Sequence, residues 1–397
     1  MSKPLKVMIV AVEASADALG AGLARALTAR LGPAVELIGV GGVRMAEAGV
    51  ASPIDIGELS LVGLFEIASA VPRALGLIEE TVRLAEAEGP DIAVLIDSWE
   101  FTWRVARRLR LRAPATRLVK YVAPQVWATR PGRARAAARL FDRMLTLFPF
   151  ETQFFAAEGL PSVFVGAPAL QPREPAPDGA LFRASLGLPP DAPLLLLLPG
   201  SRPSEIRRLM PVFAAAARRL LEVFPGIAMV LPAAPTVAGE VRARAARWPS
   251  PPVVIEGEAA KQAAMRGGTL AVACSGTVTS ELASAGCPMI VAYRANPATA
   301  LVARLIIRTR HLTLINIAAG RSVAPEFLQG CCTGRNLAAA AATLLADPSL
   351  RARQAADQSA ALRALGSVGG DPYDAAAEAV LGVIDEGAPS PEAPIQD

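Results

Sequence analysis

The chain has 397 residues, 52% of them hydrophobic and 5% aromatic, and a formal net charge of +4. That length exceeds what one core accommodates and suits two domains of ordinary size. No uncharged apolar run approaches the roughly 18 residues that span a bilayer, and Met1 to Lys6 lead straight into a strand pattern without a small-residue cleavage site, so a cytoplasmic protein is expected.

Val7 to Val12, Val35 to Val40 and Ile92 to Ile96 are short apolar runs, separated by helical periodicity over Asp17 to Leu31 and Val71 to Glu88. This alternation predicts βαβ units and a parallel sheet. It continues through Leu118 to Val122, Arg143 to Leu147 and Ser162 to Val165. A proline-dense stretch from Pro168 to Gly179 then continues neither element and reads as an interdomain linker. The alternation restarts with strands over Leu194 to Leu198, Ala228 to Pro232, Val253 to Ile255, Leu270 to Cys274 and Met289 to Val291. The expected domains are 1–168, a linker 169–180, 181–386 with closing C-terminal helices, and a disordered tail 387–397. Two doubly wound halves would hold ligands in a cleft beyond the carboxyl ends of their strands.

Two strand-to-helix turns carry candidate chemistry. Leu270-Ala-Val-Ala-Cys274 runs into Ser275, Gly276 and Thr277, with Glu281 four residues further on the same helix face. Free amides and the helix dipole there favour phosphate, and a carboxylate can accept both hydroxyls of a ribose. Five leucines, Leu194 to Leu198, run into Pro199, Gly200, Ser201 and Arg202, with Arg202 placed for an anion. Neither turn is a Walker loop. Gly39-Val-Gly41-Gly42-Val-Arg44 misses the dinucleotide fingerprint, because Arg44 stands where the third glycine belongs.

Between Phe101 and Phe150 stand twelve Lys/Arg and one acid, Asp142. Such a face suits an anionic membrane or a phosphorylated substrate, and no nucleic-acid motif accompanies it. Cys274, Cys287, Cys331 and Cys332 lack metal-ligand spacing and are expected as reduced thiols. His311 is the only histidine, which leaves little room for Ser-His or Cys-His catalysis.

With these pieces placed, the chain resembles the lipid-A-disaccharide synthase family, inverting glycosyltransferases with two Rossmann-like halves (GT-B architecture). The resemblance runs through Glu13-Ala-Ser15-Ala-Asp17, Gly39-Val-Gly41-Gly42, Leu95-Ile-Asp97 and Pro124-Gln125-Val-Trp127-Ala-Thr-Arg130. It continues in Pro149-Phe-Glu151, Pro199-Gly-Ser-Arg202, Ser275-Gly-Thr277 with Glu281, and Asn316-Ile-Ala-Ala-Gly-Arg321 with Pro325-Glu326. It implies transfer of the diacylated sugar of UDP-2,3-diacylglucosamine to 2,3-diacylglucosamine 1-phosphate, giving a β(1→6) disaccharide 1-phosphate and UDP. It also implies Asp97 as general base, UDP held by Gly200, Ser201, Arg202, Ser275, Gly276, Thr277 and Glu281, and acceptor contacts from Glu13, Ser15, Asp17, Gln125, Trp127, Arg130, Asn316 and Arg321. Independently, Asp97 ends a strand, where capping the following helix is its alternative role.

No metal and no cofactor are expected, since the chain lacks an Asp-x-Asp motif. Acylated substrates imply peripheral attachment to the anionic inner membrane, with apolar contacts over Leu59 to Phe65 and Val71 to Leu77. The chain departs from the family pattern at Val12 and Ala16, which replace glycines, at Trp99-Glu100, which makes Glu100 a rival carboxylate, and at Ala167. The rival readings are a UDP-sugar 2-epimerase of similar architecture and a catalytically silent lipid- or nucleotide-binding homologue. Whether the chain is a monomer or a homodimer does not follow from the sequence.

Overall fold

The computed structural model describes residues 3–54, 56, 67–171, 177–296, 309–366 and 369–385. The expected tail 387–397, the apolar segment 59–65 and the middle of the proline-dense stretch, 172–176, lie outside the described residues. The chain divides into two units, residues 1–168 with 366–397, and residues 169–365.

In the first unit the elements are β1 (Leu5–Val10), α1 (Ala14–Leu31), β2 (Val35–Val40), α2 (Val43–Glu47), α3 (Ile67–Glu88), β3 (Ile92–Ile96), α4 (Trp99–Arg112), β4 (Arg117–Tyr121), α5 (Gly132–Ala138), β5 (Arg143–Thr146), α6 (Pro149–Ala156) and β6 (Ser162–Phe164). Six strands form one sheet in the order β2-β1-β3-β4-β5-β6, parallel throughout. Alternate side chains enter two cores, one on each face: Met8, Val10, Ala93 and Leu95 in one, Val7, Ile9, Val94 and Ile96 in the other. A strand buried on both faces must be apolar at every position, which is why these runs read as continuous rather than alternating.

The second unit holds α7 (Gly179–Ser185), β7 (Leu194–Leu198), α8 (Pro203–Val223), β8 (Ala228–Ala233), α9 (Ala238–Ala245), β9 (Val253–Glu256), α10 (Glu258–Gly267), β10 (Leu270–Cys274), α11 (Thr277–Ser284), β11 (Met289–Tyr293), α12 (Leu314–Ala319), β12 (Glu326–Leu328), α13 (Gly334–Ala346) and α14 (Pro348–Ala364). Its sheet order is β12-β11-β10-β7-β8-β9. The leucines of β7 divide between two cores, Leu195 and Leu197 on one face, Leu194, Leu196 and Leu198 on the other. β12 was not expected as a strand; three half-buried residues give too short a pattern to read.

Two expected boundaries need correction. The closing helix α15 (Pro372–Asp385) belongs to the first unit, not to a domain over 181–386. Its Ala376, Ala377, Val380 and Val383 join Val7 and Ile9 in one core, and the Arg143 guanidinium donates to Ala379 O at 2.6 Å. The second unit also starts before residue 181, since Asp178 caps α7 by accepting from the amides of Ala180 and Leu181.

Candidate active site

In the first unit the strand order reverses between β1 and β3, so the loops leaving these neighbours turn to opposite faces and open a crevice, the usual ligand position in a doubly wound sheet. The loop after β1 carries Glu13, the residue that precedes α1. The loop after β3 carries Asp97 and Ser98, and the Ser98 hydroxyl donates to Glu13 Oε1 at 2.5 Å. Asp97 (φ +50°) and Ser98 (φ +37°) are both left-handed, a conformation that costs an L-residue about 1–2 kcal/mol. Helix α4 then begins without a side-chain cap, so the alternative capping role of Asp97 is not used. Among the described residues its carboxylate has no hydrogen-bond or ion-pair partner.

Glu100, three residues on, is engaged. Its carboxylate meets Arg104 at 3.0 Å, Arg130 at 3.4 Å and Arg133 at 2.5 Å. Burial works to raise its pKa, but the Arg104 hydrogen bond and the Arg133 charge outweigh it and hold the carboxyl below its usual value. Arg133 also lies 5.6 Å from the Trp99 ring centroid. The Pro-Gln-Val-Trp and Pro-Phe-Glu segments form one cluster: Trp127 packs edge-on to Phe150 at 5.4 Å, and its Nε1 donates to Glu151 Oε1 at 3.2 Å. Burial pushes the Glu151 carboxyl up to about 7, against the opposing hydrogen bonds from Trp127 and the Phe148 amide. Gln125, Arg130 and Ser15 are exposed.

Asp17 has a different situation from the open acceptor contact expected of it. Its buried carboxylate accepts from the amides of Gly42 (2.7 Å), Arg44 (3.0 Å) and Met45 (3.2 Å), and thereby caps α2. The unopposed basic face is also corrected. Arg112 pairs with Glu79 and Glu86, Arg110 with Asp142, and Arg135 with Glu158, while Arg143 is buried under α15. The missing acids come largely from α3, outside the segment whose charges were counted.

In the second unit the reversal falls between β7 and β10, the strands that end in the two turns singled out from sequence. The turns differ. After β7, Glu205 Oε2 accepts from the amides of Ser201 (3.0 Å) and Arg202 (3.2 Å), so a carboxylate of the chain already occupies that helix start. The Arg202 side chain is left 76% exposed. After β10, Gly276 and Thr277 are exposed at the start of α11, which has no acid in its first turn and no side-chain cap. This is the open N-terminus, and phosphate fits it better.

Glu281 lies one turn along α11, and its carboxylate is held by Lys261 Nζ at 2.7 Å and Gln262 Nε2 at 3.1 Å. Burial works to lower the Lys261 pKa, but its bond to Glu281 prevails and raises it. Lys261 and Gln262 were not anticipated; they sit on α10, which carries no motif. With Arg266 and Ser284, Gln262 borders a surface pocket that includes Glu281. Asn316 is fully buried and its side chain makes four hydrogen bonds, accepting from the amides of Val323 and Ala324 and donating to Ala324 O and Glu326 Oε1. It ties the Asn-Ile-Ala-Ala-Gly-Arg segment to Pro-Glu326 and shapes the loop from inside. Arg321 is exposed and pairs with Asp357 at 2.7 Å. His311 Nδ1 stands 4.0 Å from Glu326.

Residues 7–377, which span both crevices, match the family model described as lipid-A-disaccharide synthetase. The chain belongs to the lipid-A-disaccharide synthase family. Synthases of Rhodospirillum centenum and Rhodopseudomonas palustris are each 42% identical to it, over 96% of this chain and 95% of the first relative, and over 97% of both chains for the second. As a member of this family it is a glycosyltransferase of lipid A biosynthesis.

Among solved structures, a UDP complex of MnaA from S. aureus (TM-score 0.60, 17% identity, 96% of this chain and 95% of that one) shares its fold. So does the glycotransferase of kitacinnamycin (TM-score 0.60, 18% identity, 96% and 100%). A UDP-GlcNAc 2-epimerase from Neisseria meningitidis bound to UDP-GlcNAc, at TM-score 0.60 and 12% identity, covers 96% of this chain and 99% of its own. Identity this low establishes the GT-B fold alone, so the epimerase reading gives way to the synthase family. Val12, Ala16 and Ala167 are all buried, Val12 and Ala16 within the two cores that flank the first sheet.

Proposed function

We propose that the chain transfers the 2,3-diacylglucosaminyl group of UDP-2,3-diacylglucosamine to the 6-hydroxyl of 2,3-diacylglucosamine 1-phosphate, with Asp97 as general base. The acceptor oxygen attacks the anomeric carbon as the bond to the diphosphate breaks. Asp97 takes the hydroxyl proton, and UDP leaves with the bonding electrons. An α-linked donor thereby becomes a β-linked product in one displacement. Ser275, Gly276 and Thr277 bind the diphosphate, Arg202 offsets its growing charge, and Glu281 accepts from the ribose hydroxyls. Glu13, hydrogen-bonded to Ser98, borders the acceptor side.

The observation that carries this reading is the contrast between two carboxylates three residues apart. Asp97 is unpartnered at the reversal point of its sheet, while Glu100 is held by three guanidinium groups, of which Arg104 and Arg133 lower its basicity. The acyl chains of both substrates call for work at a membrane surface, and no described helix is long and apolar enough to cross one. Peripheral attachment is part of this proposal, with Leu75, 44% exposed on α3, as one apolar contact.

The test is an assay with the two named lipids that follows UDP release and identifies the disaccharide by mass. Asp97→Asn should lower kcat by about 10²–10⁴ with little change in KM, and Glu100→Gln should retain turnover. Activity lost in Glu100→Gln and kept in Asp97→Asn would move the base to Glu100. No disaccharide from the wild-type chain would leave the silent-homologue reading.

A further inference from the structure

Lys120 is an unusual residue to find inside this fold. It is 1% exposed and is the penultimate residue of β4, directly opposite Leu95 of β3. Its neighbours Leu118 and Val119 enter the two apolar cores, and no carboxylate lies within ion-pair distance of it among the described residues. Burying an ammonium this way costs several kcal/mol after relaxation. Methionine or leucine would fill the space without that cost, so the group calls for a purpose other than packing.

Its hydrogen bonds indicate what that purpose is. Nζ donates to three main-chain carbonyls, Asp97 O at 2.5 Å, Leu95 O at 3.3 Å and Tyr121 O at 3.4 Å. These belong to the ends of two adjacent strands, which are joined there by the Asp97 amide donating to Tyr121 O at 2.9 Å. Both ends are strained. Asp97, Ser98 and Val122 have φ of +50°, +37° and +70°, and for a β-branched residue such as Val122 this is a rare conformation. Strained backbone persists only where its surroundings over-determine it. The Asp97 carbonyl receives a second bond, from Thr102 Oγ1 at 2.9 Å. Lys120 thus lies beneath the turn that carries the unpartnered Asp97 carboxylate.

We propose that Lys120 is a positioning residue of the transferase: its ammonium clamps the left-handed Asp97–Ser98 turn to the end of β4 and so holds the Asp97 carboxylate where it meets the acceptor hydroxyl. This rests on the reading of Asp97 as the base. Three N–H donors meet three carbonyls, which a protonated lysine provides and a neutral amine does not. Desolvation lowers the Lys120 pKa to about 7, and the two acids that face it, Asp97 and Glu13, oppose that fall. The clamp is complete below that pH and loses a proton above it.

The experiment compares Lys120→Met, Asp97→Asn and the double variant in the full chain, with kcat, KM and melting temperature measured for each. Lys120→Met should lower kcat about 10- to 100-fold, the effect of displacing a reacting group by about 1 Å. KM should stay within about threefold and the melting temperature should not fall, because an expensive buried charge has been replaced by a matched apolar group. The wild-type to Lys120→Met ratio of kcat should shrink as pH rises through about 7, the value to which burial brings the amine. In the Asp97→Asn background Lys120→Met should have little further effect. An unchanged kcat in Lys120→Met beside a disabled Asp97→Asn overturns the clamp and leaves the base in place. An active Asp97→Asn overturns the base assignment itself. Equal losses from Lys120→Met in both backgrounds would mean that Lys120 acts on something other than Asp97. If Lys120→Met does not fold, Lys120→Gln, which keeps two donors, must show the intermediate loss, and wild-type kcat in it refutes the clamp.

Discussion

Gly200→Ala should cost the second unit about 1.5–5 kcal/mol of stability, from two separable sources. Gly200 has φ +116°, and an L-residue held there is strained by about 1–3 kcal/mol. The second source is a collision. A Cβ on Gly200 would stand 2.2 Å from Glu205 Oε2 and 2.8 Å from Glu205 Cβ. A rotamer change moves the oxygen but not the Cβ, which is fixed to the first turn of α8. The carboxylate must then release the Ser201 and Arg202 amides, which removes the helix cap and costs about 0.5–2 kcal/mol. For a unit of roughly 200 residues each kcal/mol shifts Tm by about 2–4 °C, so a fall of about 3–20 °C is expected. Thermal melting of a four-member cycle with Glu205→Ala separates the sources. Once Glu205 is alanine the cap is already gone but its Cβ remains 2.8 Å from the new methyl, so Gly200→Ala should then cost the backbone strain and that contact without the loss of the cap. Because Arg202 moves with the turn, UDP affinity by calorimetry should also fall about 10-fold, the worth of one charge-assisted hydrogen bond. Equal costs of Gly200→Ala with and without Glu205, or a cost below about 0.5 kcal/mol, would refute the account of this turn.

Glu281→Gln should weaken UDP binding by roughly 1–3 kcal/mol while kcat at saturating donor changes less, since the amide accepts fewer hydrogen bonds from ribose and loses its Lys261 pairing; an unchanged calorimetric affinity would assign Glu281 to structure alone. Glu151, whose carboxyl pKa is raised by burial from an ordinary 4.5 to about 7 in the folded state, stabilises the fold fully only below the lower value, and that contribution is lost as pH rises through the higher one. The difference in Tm between wild type and Glu151→Gln should therefore shift in favour of the variant between pH 4.5 and 7 and level off above; a difference flat across this window would show that burial does not control Glu151. Because most of the guanidinium groups between Arg104 and Arg135 are paired within the fold, vesicle sedimentation should depend only weakly on salt and persist on neutral lipid. Complete release by moderate salt would restore the basic face as the main attachment.

What the sequence determined by itself is the local part of this protein. The runs that became β3, β7 and β10 were legible to the residue because central parallel strands are buried on both faces and admit only apolar side chains. The two glycine turns were legible because a strand followed at once by a helix needs small residues at the junction, and the family was legible in motifs such as Pro124 to Trp127. Tertiary structure decided what each motif residue does, because a polar group's role depends on which distant partner reaches it first. Asp17 was absorbed by amides 25 to 28 positions away. Asn316 was absorbed by its own loop, Glu205 took the amides that a phosphate was expected to take, and the arginines found acids on α3 that no local charge count includes. Lys120 and Lys261 lie in no motif and drew no notice, since nothing in a sequence window says that one will lie beneath Asp97 and the other beside Glu281. The last helix could not be assigned to a unit from its own residues either, as an apolar helical face specifies burial but not which core receives it.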